Sequence, residues 1–220
     1  MKSVLAIDTS TDRGRVAVVE GGATPRTVAE LDEPMPGSHA THLLALIDRV
    51  LDAAGWSKDR IDGVAVVRGP GSFTGVRIAL GTAEGLALSG GCSIAGVHTL
   101  EAMAEASGAC AGERVCVLGA GRDELYLARF DAASSPPLEL QPPCLVEASG
   151  FWKNPPGYVL WGARADPPQT VAEELGRPAG QGTAAAAARI ALARGARDED
   201  SPRAPLYVRP SDAELQRRRR

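Results

Sequence analysis

The chain has 220 residues, of which 44% are hydrophobic and 23% charged, and its formal net charge is −3 at pH 7. This composition is typical of a soluble globular protein with one large or two small domains. Without a net positive charge, the chain is not expected to bind nucleic acid over its whole surface. No secretory leader precedes Val4 and no apolar run could span a bilayer, which predicts a cytoplasmic protein without membrane contact.

The first half of the chain predicts a three-strand meander followed by alternating helices and strands. Apolar, β-branched runs indicate the strands, and apolar residues at helical spacing indicate the helices. The predicted strands are 4–7, 15–20, 26–31, 61–67 and 93–97, and the predicted helices are 39–54, 74–88 and 100–106. This order is that of one lobe of an actin-like (ribonuclease H-like) fold, a mixed sheet with helices on its faces.

The second half repeats this order in abbreviated form. Strands are predicted at 115–118, 124–130 and 158–161, with 138–140 as a further candidate, and an alanine-rich helix at 183–194. We therefore predict an α/β, actin-like (ASKHA) fold with two lobes, the second of them reduced. The predicted N-terminal lobe is 1–106 and the reduced C-terminal lobe 107–220. Whether the last segment packs back on the first lobe stays open at this point.

A glycine-rich loop, Gly69–Arg77, joins a predicted buried strand to a predicted helix. Ser72 and Thr74 are able to cap the first amides of that helix, and a helix N-terminus of this kind favours anions. The loop lacks the Gly-Lys-Ser/Thr of a Walker motif. Two interpretations remain, a phosphate-binding loop and a rigid turn that only orients the helix.

Asp8, Thr9 and Ser10 follow the first strand, where actin-like ATPases carry a carboxylate that holds a hydrated divalent ion. The competing interpretation is a turn that closes a hairpin. Phosphoryl transfer also needs an acidic turn in the second lobe, and the corresponding turn here is Gly119-Ala120-Gly121. We therefore assign no catalytic residue. The nucleotide-like positions are Asp8, Thr9, Ser10, Ser72 and Thr74.

No metal site is predicted. His39 and His42 share one face of a predicted helix, but no third ligand stands at the usual spacing.

The predicted helix 74–88 is apolar on nearly all sides, with small residues four apart. Burial within this chain and burial against a partner subunit explain that pattern about equally well. For the second case the predicted interface residues are Leu43, Ile47, Val50, Val76, Arg77, Leu80, Ala83 and Ala87. The closing Arg217–Arg220 tract is either a solvated tail or a segment whose charge attracts RNA weakly.

Three motifs together resemble the TsaB (YeaZ) family. They are Leu5–Thr11, Ser38-His39 followed by Leu43-Leu44, and the loop Gly69–Arg77, which is highly specific. Glu124-Leu125-Tyr126 and Pro205–Arg209 are weaker matches. One departure concerns the second lobe, where the family has Asp-Ala-Arg and this chain has Gly119-Ala120-Gly121.

The resemblance implies a pseudo-enzyme that scaffolds or dimerises with a catalytic TsaD-like paralogue and works with a TsaE-like ATPase. In that system threonylcarbamoyl passes from threonylcarbamoyl-adenylate to the tRNA adenosine beside the anticodon. The resemblance implies a helical interface able to form a homodimer, indirect contact with tRNA, and no activity by this chain alone. No cofactor is expected on this chain, with ATP, Mg²⁺ or another metal reached only through the partner complex. The alternative is a small actin-like ATPase or sugar kinase that uses Asp8 and the Gly69–Gly75 loop.

Overall fold

The computed structural model describes residues 1–35, 39–109, 111–170, 172, 176–195 and 204–208. Ser38 of the family motif and the Arg217–Arg220 tract lie outside these residues. Among the described residues, no helix has both the length and the apolar character needed to cross a membrane.

A first five-stranded sheet forms the N-terminal part of the molecule. Its strands are β1 (Ser3–Asp8), β2 (Arg13–Glu20), β3 (Arg26–Pro34), β4 (Gly63–Val67) and β5 (Ser93–Val97). The strand order is β3-β2-β1-β4-β5. β1, β2 and β3 pair antiparallel, and β1, β4 and β5 pair parallel. Every residue of β1 and β4 is buried, as expected for central strands that are covered on both faces.

Helices cover both faces of this sheet. Leu5 and Ile7 of β1 face the core formed with α1 (His39–Ala54) and α2 (Phe73–Gly90). Their neighbours in β1 face the opposite core, formed with α5 (Thr183–Arg194). Because five consecutive alanines of α5 are buried, this helix lies close to the sheet although its sequence follows the second sheet.

The second sheet repeats the topology of the first. Its strands are β6 (Glu113–Gly121), β7 (Glu124–Asp131), β8 (Leu138–Glu147), β9 (Val159–Trp161) and β10 (Gly176–Pro178). The order β8-β7-β6-β9-β10 matches β3-β2-β1-β4-β5 strand for strand. This repeat confirms the predicted actin-like α/β fold. The reduction of the second half lies in β9 and β10, of three residues each.

α3 (Thr99–Ala106) joins the two halves. Leu100 and Met103 are buried in one cluster with Phe130 and Leu118 of the second sheet. On the other face of that sheet, α4 (Ala148–Lys153) places Trp152 in a further core cluster.

Three features of the second half were not predicted, namely α4, β10 and the full ten-residue length of β8. Their sequences are short, or contain prolines and polar residues, so neither a period of two nor one of 3.6 is visible. β8 is paired along its length with β7, and that non-local pairing defines it.

Candidate functional site

The Gly69–Arg77 loop is held on two sides by hydrogen bonds to its own chain. On one side, the Ser72 amide donates to the Ser10 carbonyl at 2.6 Å, and Thr9 Oγ1 donates to the Gly75 carbonyl at 2.7 Å. On the other side, Thr99 donates its amide to the Gly69 carbonyl and its hydroxyl to the Pro70 carbonyl, at 2.8 and 2.7 Å. The loop is therefore fixed between the end of β1 and the start of α3.

Two glycines make this contact between α2 and β1 possible. A Cβ on Gly75 would lie 1.9 Å from the Thr9 carbonyl oxygen, and one on Gly71 would lie 2.2 Å from the Ser10 carbonyl oxygen. Both distances are far below van der Waals contact. Glycine is required here because two backbones touch directly.

The first amides of α2 are partly used within the chain. Ser72 is the N-cap, and its Oγ accepts from the Gly75 amide at 3.2 Å, as its position in the sequence predicts. Since the Ser72 amide binds the Ser10 carbonyl, two of the donors that a phosphate would need already have partners. This geometry favours the rigid turn over the phosphate loop.

Asp8 is 1% exposed and lies in a network of internal partners. Its Oδ1 accepts from the Ser10 amide at 2.8 Å, and its Oδ2 accepts from the Thr183 hydroxyl of α5. Arg15 Nη1 lies 3.5 Å from the same Oδ2. The carboxylate thus accepts hydrogen bonds and lies near an opposite charge within the fold. A buried charge is tolerated in this way. The alternative of an ATPase or sugar kinase needs this carboxylate to face a metal ion instead.

Of the other nucleotide-like positions, Thr9 and Ser10 are buried and Thr74 is exposed. The Ser10 Oγ has no hydrogen-bond partner among the described residues. Ser10, Ser72 and Thr74 border a cleft of about 640 Å³ between the two halves. Gly119, Tyr126 and Arg164 line its far side. Burial raises the pKa of the Tyr126 hydroxyl.

The second half of that cleft has no room for the carboxylate that the family motif carries. The Gly119 amide donates to the Ala163 carbonyl at 3.0 Å, and a Cβ on Gly119 would lie 1.9 Å from the Arg164 carbonyl oxygen. Arg164 itself adopts a positive φ of 60°. Any side chain at position 119 would therefore displace the segment around Arg164. Across the described residues, no group of three or more His, Cys, Asp or Glu side chains could hold a metal ion.

The predicted interface residues require a correction. Seven of them are at most 8% exposed and fill the core between α1, α2 and the first sheet: Leu43, Ile47, Val50, Val76, Leu80, Ala83 and Ala87. For the four residues of α2, the prediction chose the buried face because the apolar pattern of this helix has no polar side to mark the solvent. Of the eight predicted residues, Arg77 is the exposed one. A subunit interface on these helices stays a prediction, and it must use other side chains.

The solvent side of α2 carries two glycines and an exposed leucine on one face. Gly81, Gly85 and Leu88 lie four and three residues apart and therefore share a face. A Cβ on either glycine would meet no atom within 4 Å, and Leu88 is 87% exposed. On the neighbouring α1, Leu44 is 51% exposed. We call these four residues the α1–α2 surface.

Sequence reasoning missed the partners of Asp8. Arg15 stands directly opposite Asp8 in the β1–β2 pairing, so the hairpin register was a signal for an opposite-charge pair. Thr183 lies 175 residues away, and no local pattern indicates its contact. Tyr207 was also missed, although it contacts Phe73 and Arg77 at the start of α2.

A sequence-family model described as "TsaD: tRNA N6-adenosine threonylcarbamoyltransferase" matches residues 15–136. The tRNA threonylcarbamoyladenosine biosynthesis protein TsaB of Escherichia coli (strain K12) is 42% identical over 102 residues, which are 46% of this chain and 42% of that protein. The TsaB protein of Haemophilus influenzae is 36% identical over 105 residues, 48% of this chain and 43% of that protein. The match thus spans less than half the length of these curated relatives.

Two solved structures from Pseudomonas aeruginosa resemble nearly the whole chain. One is an uncharacterized protein with similarity to peptidase YEAZ, with a TM-score of 0.74 and 26% identity, covering 95% of this chain and 100% of that one. The other is YeaZ, with a TM-score of 0.71 and 24% identity, covering 94% and 100%. The second of these likenesses concerns the fold alone.

Proposed function

Because the chain belongs to the TsaB (YeaZ) family, we propose that it takes part in tRNA threonylcarbamoyladenosine biosynthesis as a non-catalytic subunit. In this proposal it supports a TsaD-like paralogue, which transfers threonylcarbamoyl from its adenylate to the tRNA adenosine beside the anticodon. A TsaE-like ATPase is the further partner, contact with tRNA is mainly indirect, and the location is the cytoplasm. The chain alone needs no cofactor, and ATP, Mg²⁺ or another metal acts only through the partners.

The observation that carries the non-catalytic assignment is the state of Asp8. Its carboxylate is buried, bonded to Ser10 and Thr183, and within 3.5 Å of the Arg15 guanidinium. Clamping a transferred phosphoryl group requires charged groups on both sides of a cleft. Asp8 is committed to its own fold on one side, and Gly119 offers no side chain on the other.

We assign the partner contact to the α1–α2 surface, Leu44, Gly81, Gly85 and Leu88. Its two glycines leave open space beside the helix, so the helix of a partner could approach α2 closely. Two exposed leucines, Leu44 and Leu88, supply apolar area that a partner could bury. The same surface would support a homodimer when the paralogue is absent.

Copurification with the TsaD-like paralogue of the same genome tests this proposal. Leu88→Glu places a charge on the surface without entering the core, because Leu88 is 87% exposed. We expect it to weaken association by about 2 kcal/mol or more, the loss seen when an interface hot spot is disrupted. On size exclusion the variant should elute apart from the paralogue, with an unchanged thermal unfolding midpoint.

Leu138→Glu is the matched control, since Leu138 is also exposed, at 62%, but lies on β8 of the second sheet. It should copurify like the unmodified chain. Equal complex formation by Leu88→Glu and Leu138→Glu would remove the α1–α2 surface from the proposal. A charged residue in place of Leu80 would not test the surface. Leu80 is 4% exposed, so its replacement by a charged residue would unfold the core.

A further inference from the structure

A second cavity lies where the start of α3 meets the start of β8 and the end of α5. Its volume is about 350 Å³, and it shares no lining residue with the cleft between the two halves. This volume is at the lower end of the range for small-molecule sites, about 300–1,000 Å³. The ionisable side chains that line it are Arg68, His98, Glu101, Glu139 and Arg194.

Each of the two carboxylates in this cavity already has a partner. Glu101 Oε1 accepts from Arg194 Nη2, and Glu139 Oε2 lies 2.9 Å from His98 Nε2. Because His98 Nδ1 accepts from the Glu101 amide at 3.2 Å, the proton of the neutral ring is on Nε2 and is donated to Glu139. Both ring nitrogens of His98 and both carboxylates are therefore engaged within the fold.

Arg68 differs from its neighbours because its cation lacks such a partner. Among the described residues its side chain donates to the Ala204 carbonyl alone, from Nη1 at 3.4 Å, and its Nε is buried without an acceptor. Burial lowers the pKa of the Arg68 guanidinium and Arg194 adds to this effect, against the opposing charges of Glu101 and Glu139. The guanidinium is thus partly desolvated without a direct counter-charge.

The main chain of Arg68 is fixed on both sides. Its amide donates to the Val97 carbonyl at 2.9 Å, and its carbonyl accepts from the Leu206 amide at 2.8 Å. The Nε–Nη2 edge of the guanidinium, which has no acceptor among the described residues, is therefore held at the cavity. Buried donors without acceptors are unfavourable, so such an edge points to a missing acceptor.

From this arrangement we propose that the cavity binds a small oxyanion, a carboxylate or a phosphate group, on the Nε–Nη2 edge of Arg68. The two parallel N–H groups of that edge match the spacing of two oxygens on either group. Glu101 and Glu139 repel the anion from a greater distance, which keeps the affinity modest. The inference goes beyond the proposed function and does not depend on it.

Nuclear magnetic resonance of the isotope-labelled full chain tests the proposal. Inorganic phosphate and acetate are titrated separately at constant ionic strength, with sodium chloride as the reference. We expect the Arg68 Nε–H resonance to shift with a Kd of about 1 mM for the better of the two anions, as two charge-assisted hydrogen bonds imply. The preference between phosphate and acetate identifies which group the site takes.

Arg68→Met removes the guanidinium and keeps an apolar chain of similar length. It should raise the Kd by about tenfold or more, because the charged hydrogen bonds are lost. The thermal unfolding midpoint should stay unchanged or rise, since a partly buried cation without a counter-charge is removed. An arginine with a merely structural role would instead lower the midpoint.

Three further variants separate geometry from charge. Arg68→Lys keeps the charge without the two-donor edge and should also weaken binding, although less than Arg68→Met. Glu139→Gln removes a negative charge from the cavity and should tighten binding. Arg189→Met is the matched control, since Arg189 is also partly buried but pairs with Glu105 at 3.0 Å outside the cavity. It should leave the Kd unchanged.

Three results would overturn the inference. The first is no shift of the Arg68 resonance at about 20 mM phosphate or acetate, well above the expected Kd. The second is an equal Kd in Arg68→Met and the unmodified chain, which would place the anion elsewhere. The third is no anion binding together with loss of paralogue copurification in Arg68→Met, which would assign the cavity to a partner's side chain. Because the titration uses the isolated chain, its failure is distinguishable from failure of the proposed partnership.

Discussion

Gly75 shows how one residue fixes the position of an entire helix. It lies in the first turn of α2, where the helix backbone touches the backbone at the end of β1. The sequence predicted a glycine-dependent turn in this loop. It could not predict which glycine faces Thr9, since that contact joins positions 66 apart in the chain.

We expect Gly75→Ala to lower the free energy of unfolding by at least about 2 kcal/mol. The added methyl group would lie 1.9 Å from the Thr9 carbonyl oxygen, so either α2 or the end of β1 must move. Urea unfolding followed by circular dichroism measures the change.

Gly81→Ala, on the same helix, is the control for that experiment. Its Cβ would meet nothing within 4 Å, and alanine favours the helix by up to about 1 kcal/mol over glycine. Gly81→Ala should therefore be neutral or stabilising. Equal effects of the two substitutions would contradict the close contact between α2 and β1.

At the scale of elements, the sequence was most informative where the hydrophobic pattern within a single helix or strand is enough to predict it. The long helices and the buried strands of the first sheet follow from local patterns, and α1 has the predicted bounds of His39–Ala54. The buried face of α2 did not follow, because its apolar residues are distributed around the helix. Likewise, the contact of α5 with the first sheet could not be predicted from the sequence. It depends on the tertiary packing of alanines, whose sequence pattern does not indicate which side of the helix is buried.

His98, at the start of α3, and Glu139, on β8, form a side-chain hydrogen bond that should make the stability of the fold depend on pH. His98 Nε2 lies 2.9 Å from Glu139 Oε2, and His98 Nδ1 accepts the Glu101 amide as the N-cap of α3. The hydrogen bond from His98 lowers the pKa of Glu139 below its ordinary value of 4.5. The folded state therefore favours the carboxylate. The stabilisation is complete above pH 4.5 and is lost as the pH falls through the lower pKa of the folded state.

Glu139→Gln should consequently be less stable than the unmodified chain at pH 7, and the difference should shrink as the pH falls below 4.5. Because the Glu139 side chain is 42% exposed, we expect less than about 1 kcal/mol. Thermal unfolding of both proteins across this pH range is the measurement. Glu84→Gln, on the exposed side of α2, should show no comparable dependence. A difference that persists unchanged at pH 3 would contradict the role assigned to the Glu139 carboxylate.

At the scale of the whole molecule, two sheets of identical strand order face a common cleft. In an enzyme of this architecture both sides of that cleft would supply charged groups. Here the carboxylate at the end of β1, Asp8, holds β1, β2 and α5 together, and the corresponding position of the second side is Gly119, which has no carboxylate. The sequence indicated the second difference through a missing carboxylate. The first could not be predicted, because an Asp at a strand end looks the same whether it faces a metal ion or an arginine.

The reconstituted transfer of labelled threonine to tRNA tests the central claim most directly. The reaction would contain tRNA, threonylcarbamoyl-adenylate labelled in its threonine and, in separate tubes, the unmodified chain alone, the TsaD-like paralogue alone, or the paralogue with either the unmodified chain or Leu88→Glu. We predict no transfer by the chain alone, background transfer by the paralogue alone, and full transfer only when the unmodified chain joins the paralogue. Modification of tRNA by the chain without its paralogue would contradict the non-catalytic role, and full transfer by the paralogue without the chain would contradict the supporting role.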